Sequence, residues 1–370
     1  MKRLLLLSVM FCIGVLQGFA QGNYFTYTDE NGVNWECSLN YTSLAMPDGS
    51  WKDTTYVDIN GASNYGEEVT VPGVVKYEGK DYTITSLNSI FSNNQTLKKV
   101  TLPKSVTSLS STFEGCTLLS EIVNTEQIKI CGGSTFSGCS SLKNINLSNC
   151  ETIGSNAFSN CNNLQSVNLK KCITIESQAF LNCNNLQSVG NLSSCTTIGE
   201  GAFNSCYSLK SIDISSCNSL NGNVFSDCTR LEEVKLSKQL SQIRWNTFNG
   251  CTNLKNIDLS NCTSIGGYAF AECQNLTSVG NTALLSSIEG YAFSNCANLT
   301  NIDLSNCTFI GEWAFRGCPK LSNINLSKCK LLENYAFIEC TELTEVDLSS
   351  CSSLAYGIFA YCSKLKTVKA

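Results

Sequence analysis

Thirteen phenylalanines recur at intervals of 22 or 23 residues, from Phe91, Phe113, Phe136 and Phe158 onward to Phe359. A fixed period in that range marks stacked supersecondary units, none of which can bury its own apolar face alone. The spacing therefore predicts a repeat solenoid of about 13 repeats covering most of the 370-residue chain. It also directs function toward display of a long surface and away from an enclosed active site.

One repeat is legible at residues 142–161, as Leu142-x-x-Ile145-x-Leu147-x-x-Cys150-x-x-Ile153-x-x-x-Ala157-Phe158-x-x-Cys161. Its first part alternates apolar and polar, which predicts a short strand around Ile145 to Leu147 with Asn144, Asn146 and Ser148 outside. Leucine-started strands of this kind run from Leu97 to Leu365. Pairing each with the next predicts one parallel sheet face roughly 60 Å long, at about 4.8 Å per rung. The second part, Ala157-Phe158-x-x-Cys161-x-x-Leu164, has helical spacing and predicts a short helical or 3₁₀ turn.

Three segments follow. Residues 1–20 read as a secretory signal: Lys2 and Arg3, an apolar run from Leu4 to Leu16, and Gly18-Phe19-Ala20 as cleavage site. The run is too short to span a bilayer comfortably, and Val9-Met10-Phe11 before Cys12 lacks a lipobox's small residues. Residues 21–86 lack the repeat. Tyr24–Tyr27 and Thr55–Ile59 alternate like strands, with turn signals at Asn31-Gly32 and Asp48-Gly49, so a β-rich N-terminal cap is expected, with a separate binding domain as the alternative. Residues 87–370 form the solenoid. Lysines 364, 366 and 369 in its last strand would blunt an exposed sheet edge.

Twenty-three cysteines would ordinarily suggest a disulfide scaffold. Their positions argue otherwise. Twelve, from Cys116 to Cys362, sit three residues after a repeat phenylalanine, and eight, from Cys150 to Cys351, sit eight residues before one. Two register-locked columns fit small buried hydrophobes. Stacked neighbours have parallel side-chain vectors, poorly aimed for bonding, so reduced thiols are expected, with a few cross-links as the alternative. Three repeats replace the second cysteine by Ile128, Leu240 and Leu285. Two carry a strand glycine, Gly190 and Gly280, which predicts small kinks.

Residues 142–153 match the leucine-rich-repeat pattern L-x-x-L-x-L-x-x-N/C-x-L with a one-residue shift. With the trailing I-x-x-x-A-F-x-x-C-x-x-L and the lead-in Val69-Thr70-Val71-Pro72 to Tyr82-Thr83-Ile84, the chain from about 69 to 370 resembles BspA-like leucine-rich-repeat proteins. That resemblance implies the α/β leucine-rich-repeat fold. It also implies a secreted or surface binding role, since members are described broadly as adhesins and host-protein binders. Asp53-Thr54-Thr55 is similar to an O-glycosylation acceptor of that bacterial group. Larger members carry attachment modules after the solenoid, and none follows Lys369-Ala370, so attachment by that end is not expected.

The sequence contains no histidine. That removes Ser-His-Asp and Cys-His catalysis and H-E-x-x-H zinc sites. No phosphate-binding glycine loop is present, so no cofactor is expected. The net charge is −5, and −7 without Lys2 and Arg3 (23 basic against 30 acidic), which argues against nucleic acid and membrane insertion. Asp213, Asp258, Asp303 and Asp347 share one strand position on alternate repeats, about 10 Å apart by strand spacing. A solvated ladder, a recognition feature and a catalytic carboxylate pair all fit them.

The remaining strand face is polar, from Ser166 and Asn168 to Asn325 and Ser327. Two residues before the phenylalanine, the C-terminal half carries Tyr268, Tyr291, Trp313 and Tyr335 in four consecutive repeats. The N-terminal half has Ser111, Ser134, Asn156 and Gln178 there. This predicts an aromatic stripe about 15 Å long, either outer-face packing or a binding surface. The chain is expected to be a non-enzymatic adhesion or interaction module for a host matrix or surface protein or a glycan. A carbohydrate-capture accessory component and a structural surface-layer element are the alternatives.

Overall fold

The computed structural model describes residues 23–45 and 51–369. The secretory signal, Cys12 and the Asp48-Gly49 turn lie outside the described residues. The repeats wind into a solenoid of rungs whose three walls are joined rung to rung by backbone hydrogen bonds.

The first wall holds the predicted strands. It begins at Glu68–Thr70, which pairs in parallel with Lys99–Thr101 and then Glu121–Val123. It continues through Asn144–Asn146 and Ser166–Asn168, Ser211–Asp213 and Glu233–Lys235, to Glu345–Asp347 and Thr367–Lys369. The predicted alternation holds: Ile145, Val167, Ile212 and Val346 are buried, and their neighbours face outward.

The second wall was not legible as a strand. Pairs such as Thr152–Ile153, Thr174–Ile175 and Thr197–Ile198 align in parallel into a seven-stranded sheet running from Ser86–Asn88 to Ser219–Leu220. A six-stranded sheet continues it from Gln242–Ile243 to Ser353–Leu354. Beyond Ser86–Asn88 and Ser108–Ser110, which have three residues, each strand has two, too few for any alternation to show.

The third wall corrects the expected helical turn. Among the described residues there is no α- or 3₁₀-helix. Phe-x-x-Cys-x-x-Leu instead marks isolated turns in series: Cys139 N–H donates to the Phe136 carbonyl and Leu142 N–H to the Cys139 carbonyl, at 3.0 and 3.2 Å. Between these turns the N–H groups leave the rung, as Phe136 N–H donates to the Ala157 carbonyl of the next one at 2.7 Å. Helix is prevented because the residues two before and two after every repeat phenylalanine have left-handed backbone, such as Asn156 (φ 57°) and Asn160 (φ 61°) around Phe158. A left-handed residue cannot continue a right-handed helix, and asparagine and glycine tolerate that conformation best.

Down the axis runs the phenylalanine ladder. Successive rings from Phe91 to Phe359 stack with centroids 5.0–5.7 Å apart. The first ring is closed edge-on by Trp35 at 6.3 Å and Tyr65 at 5.7 Å. Trp35 belongs to β2 (Asn34–Ala45), which lies between β1 (Asn23–Thr28) and β3 (Trp51–Ser63) in an antiparallel sheet. Through Trp35 this sheet caps the first ring, and the Asn31-Gly32 signal falls in its first turn, where Gly32 has φ 77°. The lead-in is a hairpin of Val74–Tyr77 on Lys80–Thr83, turned at Glu78-Gly79.

All twenty-two described cysteines are unpaired; Cys351 and Cys362 are half-buried and the rest buried. The three aliphatic replacements, Ile128, Leu240 and Leu285, are buried in the same column. Gly190 and Gly280 have φ of 73° and 74°, and the first wall loses its ladder after both. It does the same after left-handed Asn124, where the Thr125 hydroxyl reaches the Asn146 carbonyl instead, at 2.7 Å. A further break between Asn323 and Glu345 has no such residue.

Candidate interaction surface

The aromatic column lies on a position the fold makes left-handed. Tyr268, Tyr291, Trp313 and Tyr335 have φ of 58°, 60°, 59° and 56°, where earlier rungs carry Ser111, Ser134, Asn156, Asn223 and Asn246. A bulky side chain in that conformation costs about 1–2 kcal/mol. An aromatic pair contributes about 0.5–1.5 kcal/mol beyond its buried area. The three stacked pairs thus offset part of the strain at four positions, and the apolar area that the half-buried rings cover offsets more of it.

The structure brings the four rings together as an unbroken stack. Centroids are 4.6 Å apart from Tyr268 to Tyr291, 6.1 Å to Trp313 and 4.4 Å to Tyr335, with planes within 21°. Tyr268 is exposed and the other three are half-buried. The Tyr335 ring lies against Gly357 of the following rung, where a methyl group would fall 2.6 Å from Cε1. Burial, the neighbouring Tyr268 and Glu312 push the Tyr291 phenol up from its ordinary pKa, so it remains a hydrogen-bond donor at neutral pH.

Two members of this surface were missed in the sequence. The Arg316 guanidinium sits over the Trp313 ring, 5.3 Å from its centroid. Tyr356 meets Tyr335 edge-on at 5.3 Å and is 74% exposed. Arg316 is the one basic residue in its column, and Tyr356 shares its column with a single other aromatic, Trp245, so only rung-by-rung alignment reveals them. Because the rings cover one another's faces, the column presents edges, hydroxyls and one cation.

The aspartates are placed differently. Asp213, Asp258, Asp303 and Asp347 each accept the N–H two residues on, from Ser215, Ser260, Ser305 and Ser349, at 2.9–3.0 Å. Each closes an Asx turn where the chain leaves the strand, as Asn325 does for Ser327. Lys235 and Lys369 reach back one rung to Asp213 and Asp347, at 3.0 and 2.9 Å. The Ser215 hydroxyl and N–H, and then Lys235, lower the Asp213 pKa. Ser349 and then Lys369 lower that of Asp347 to about 2. Asp213 and Asp347 are therefore ionised, all four carboxylates are tied to their own backbone, and a rung bearing Lys235, Gly280 or Asn325 separates one from the next. On the same face Asn144, Asn146, Ser166, Asn168, Ser188 and Gly190 line a shallow groove of about 430 Å³. Among the described residues no group of three or more acidic or cysteine side chains is placed to hold a metal ion, and no helix is long and apolar enough to cross a membrane.

Comparison with known proteins adds family and fold. The BspA type leucine rich repeat region matches in six copies across residues 81–174, 151–277 and 263–370. A leucine-rich repeat protein from Bacteroides ovatus superposes with a TM-score of 0.66 at 25% identity, over 89% of this chain and 92% of that one. The pneumococcal vaccine antigen PcpA superposes at 0.52 with 13% identity, over 93% and 87%. A leucine rich cell surface protein from Faecalibacterium prausnitzii gives 0.42 at 20% identity, over 95% and 96%. No curated protein matches the chain.

Proposed function

The chain belongs to the BspA-type leucine-rich repeat family, and from that premise we propose that it is a non-enzymatic, secreted or cell-surface binding protein. Its partner is an extracellular-matrix or other surface protein, held along the column from Tyr268 to Tyr335. The observation that carries this reading is the placement of four consecutive aromatics at left-handed positions where Ser, Asn and Gly are intrinsically better. Backbone strain kept at a surface is a reason to look for a binding role.

The chemistry of the column favours protein over sugar as its ligand. Tyrosine, tryptophan and arginine are the residues most enriched at protein-binding hot spots. Sugars stack on open ring faces, and the faces between successive rings of the column are occupied by one another. The secretory signal read in residues 1–20 fits an extracellular site of action.

The test is binding of the mature chain to immobilised matrix proteins, compared with a Tyr291→Asn/Trp313→Asn variant. Asparagine occupies the same column at Asn156, Asn223 and Asn246, so the fold is kept. At least a tenfold loss of affinity is expected. Equal binding by the two proteins, or no binding by the parent, removes the column from the proposal.

A further inference from the structure

One aromatic outside that column is held in the opposite way. Three residues before each phenylalanine, consecutive rungs carry Gly222, Trp245, Gly267 and Gly290. The Trp245 ring leans back onto Gly222, where a methyl group would fall 2.5 Å from Cε2 and 2.6 Å from Nε1. Trp245 is nevertheless 46% exposed, so the face turned away from Gly222 carries the exposure. No other ring stacks on it, and among the described residues nothing accepts a hydrogen bond from its indole N–H.

The next rung leaves room beside that face. Gly266 is forced, since a methyl group there would fall 2.6 Å from the backbone nitrogen of Trp245. Gly267 is not forced to the same degree: its added carbon would lie 3.3 Å from the Gly290 carbonyl, and Ser155, Ser177, Glu200 and Glu312 occupy the same column on other rungs. The two glycines open a notch of about 330 Å³ bordered by Gln242, Arg244, Trp245 and Glu289. Arg244 and Glu289 stand two rungs apart with the glycine gap between them. Neither makes an ion pair among the described residues.

We infer that this notch is a saccharide subsite for a neutral hexose unit of a glycan. An open indole face supplies the apolar platform for one face of a pyranose, as aromatic rings do when one side is dry and the other wet. Planar guanidinium, carboxylate and amide groups around the rim supply the donors and acceptors that hydroxyl pairs require. The opposite charges of Arg244 and Glu289 cancel, which favours a neutral ligand over an acidic one. The volume is at the small end of the range for ligand sites, of order 300–1,000 Å³. This site is separate from the aromatic column and does not depend on the column's proposed role.

The test is saturation-transfer NMR of the mature chain with maltotetraose, cellotetraose and mannotetraose, and with a nonaproline peptide as the rival ligand for an open indole. Transfer to ring C–H protons of at least one tetrasaccharide is expected, with affinity reduced at least tenfold in Trp245→Ala. Gly267→Glu, which fills the notch while keeping Trp245, should do the same. The Tyr291→Asn/Trp313→Asn protein should bind sugar normally, which separates failure here from failure of the adhesion reading. The inference is overturned if none of the three sugars binds, if either notch variant retains binding, or if only nonaproline binds.

Discussion

The thiol of Cys206 donates to the Phe180 carbonyl of the preceding rung at 3.2 Å, and the N–H of Cys183 reaches the same oxygen at 3.1 Å. Every cysteine of that column, from Cys116 on Phe91 to Cys362 on Phe337, makes the equivalent thiol bond. A buried carbonyl has two lone pairs, and a thiol fills the second at little polar cost. The first repeat has no preceding rung, and there Asn94 replaces cysteine and donates to the Tyr65 hydroxyl of the cap at 2.9 Å.

Second-column thiols such as Cys217 also bond a carbonyl, that of Ser219 at 3.0 Å, but Cys206 and the weakly bonded Cys195 should respond differently to alanine. Cys206→Ala loses a hydrogen bond as well as volume, an added cost of about 1 kcal/mol. Cys195→Ala loses mainly volume, its thiol contact to the Thr197 carbonyl being 3.6 Å. Urea denaturation of the two variants measures the difference; equal destabilisation would count against a bonding role for the first column.

Thiol chemistry gives a second expectation. Burial pushes the Cys116 and Cys217 thiols up to about 11 and the Cys318 thiol to about 12, so thiolate is scarce at neutral pH. Native protein should resist iodoacetamide, with Cys351 and Cys362, the half-buried pair, labelled first. After unfolding, mass spectrometry should count 22 alkylated cysteines in the chain without its leader. A markedly lower count means cross-links.

Ring deletion should be costly anywhere along the axis. Phe203→Ala and Trp35→Ala each remove a fully buried aromatic and should destabilise by about 3–5 kcal/mol. They should differ in locality: hydrogen exchange in Trp35→Ala should rise mainly in the cap and first rungs, because rungs couple only to their neighbours. Uniform exchange along the stack would contradict that.

Acid should loosen the strand exits. Asp213, Asp303 and Asp347 have lowered pKa values, through the hydroxyl and N–H of the serine two residues on. A depressed folded pKa stabilises above the unfolded value and is lost as pH falls through the folded one. Their contribution should disappear between about pH 4 and pH 2, the latter being the Asp347 value. Thermal melting across that range should show a smaller acid loss in Asp347→Asn, which keeps the turn acceptor without the titration.

The period of the phenylalanines, the leucine and isoleucine alternation and the cysteine columns were readable along the chain, because each repeat experiences the same surroundings. Membership of a column was enough to identify the core and to collect Tyr268, Tyr291, Trp313 and Tyr335 into one stripe. The same spacing misled at the third wall, where residues three apart suggested helix. Consecutive turns give that spacing too, and the backbone sign that separates them, positive φ on both sides of each phenylalanine, is not written in residue type when Tyr, Gln and Glu share the position with Asn and Gly.

Direction across rungs was decided only in three dimensions. Whether a ring leans forward, as Tyr335 does over Gly357, or backward, as Trp245 does over Gly222, depends on contacts 22 or 23 residues away. So does the use of the aspartates, which a list of charges leaves free and the folded chain turns back onto their own serine N–H groups. Periodicity fixes what stacks, since it is a property of spacing. Which faces remain open follows from how neighbouring rungs fill the space between them, and that is where specificity resides.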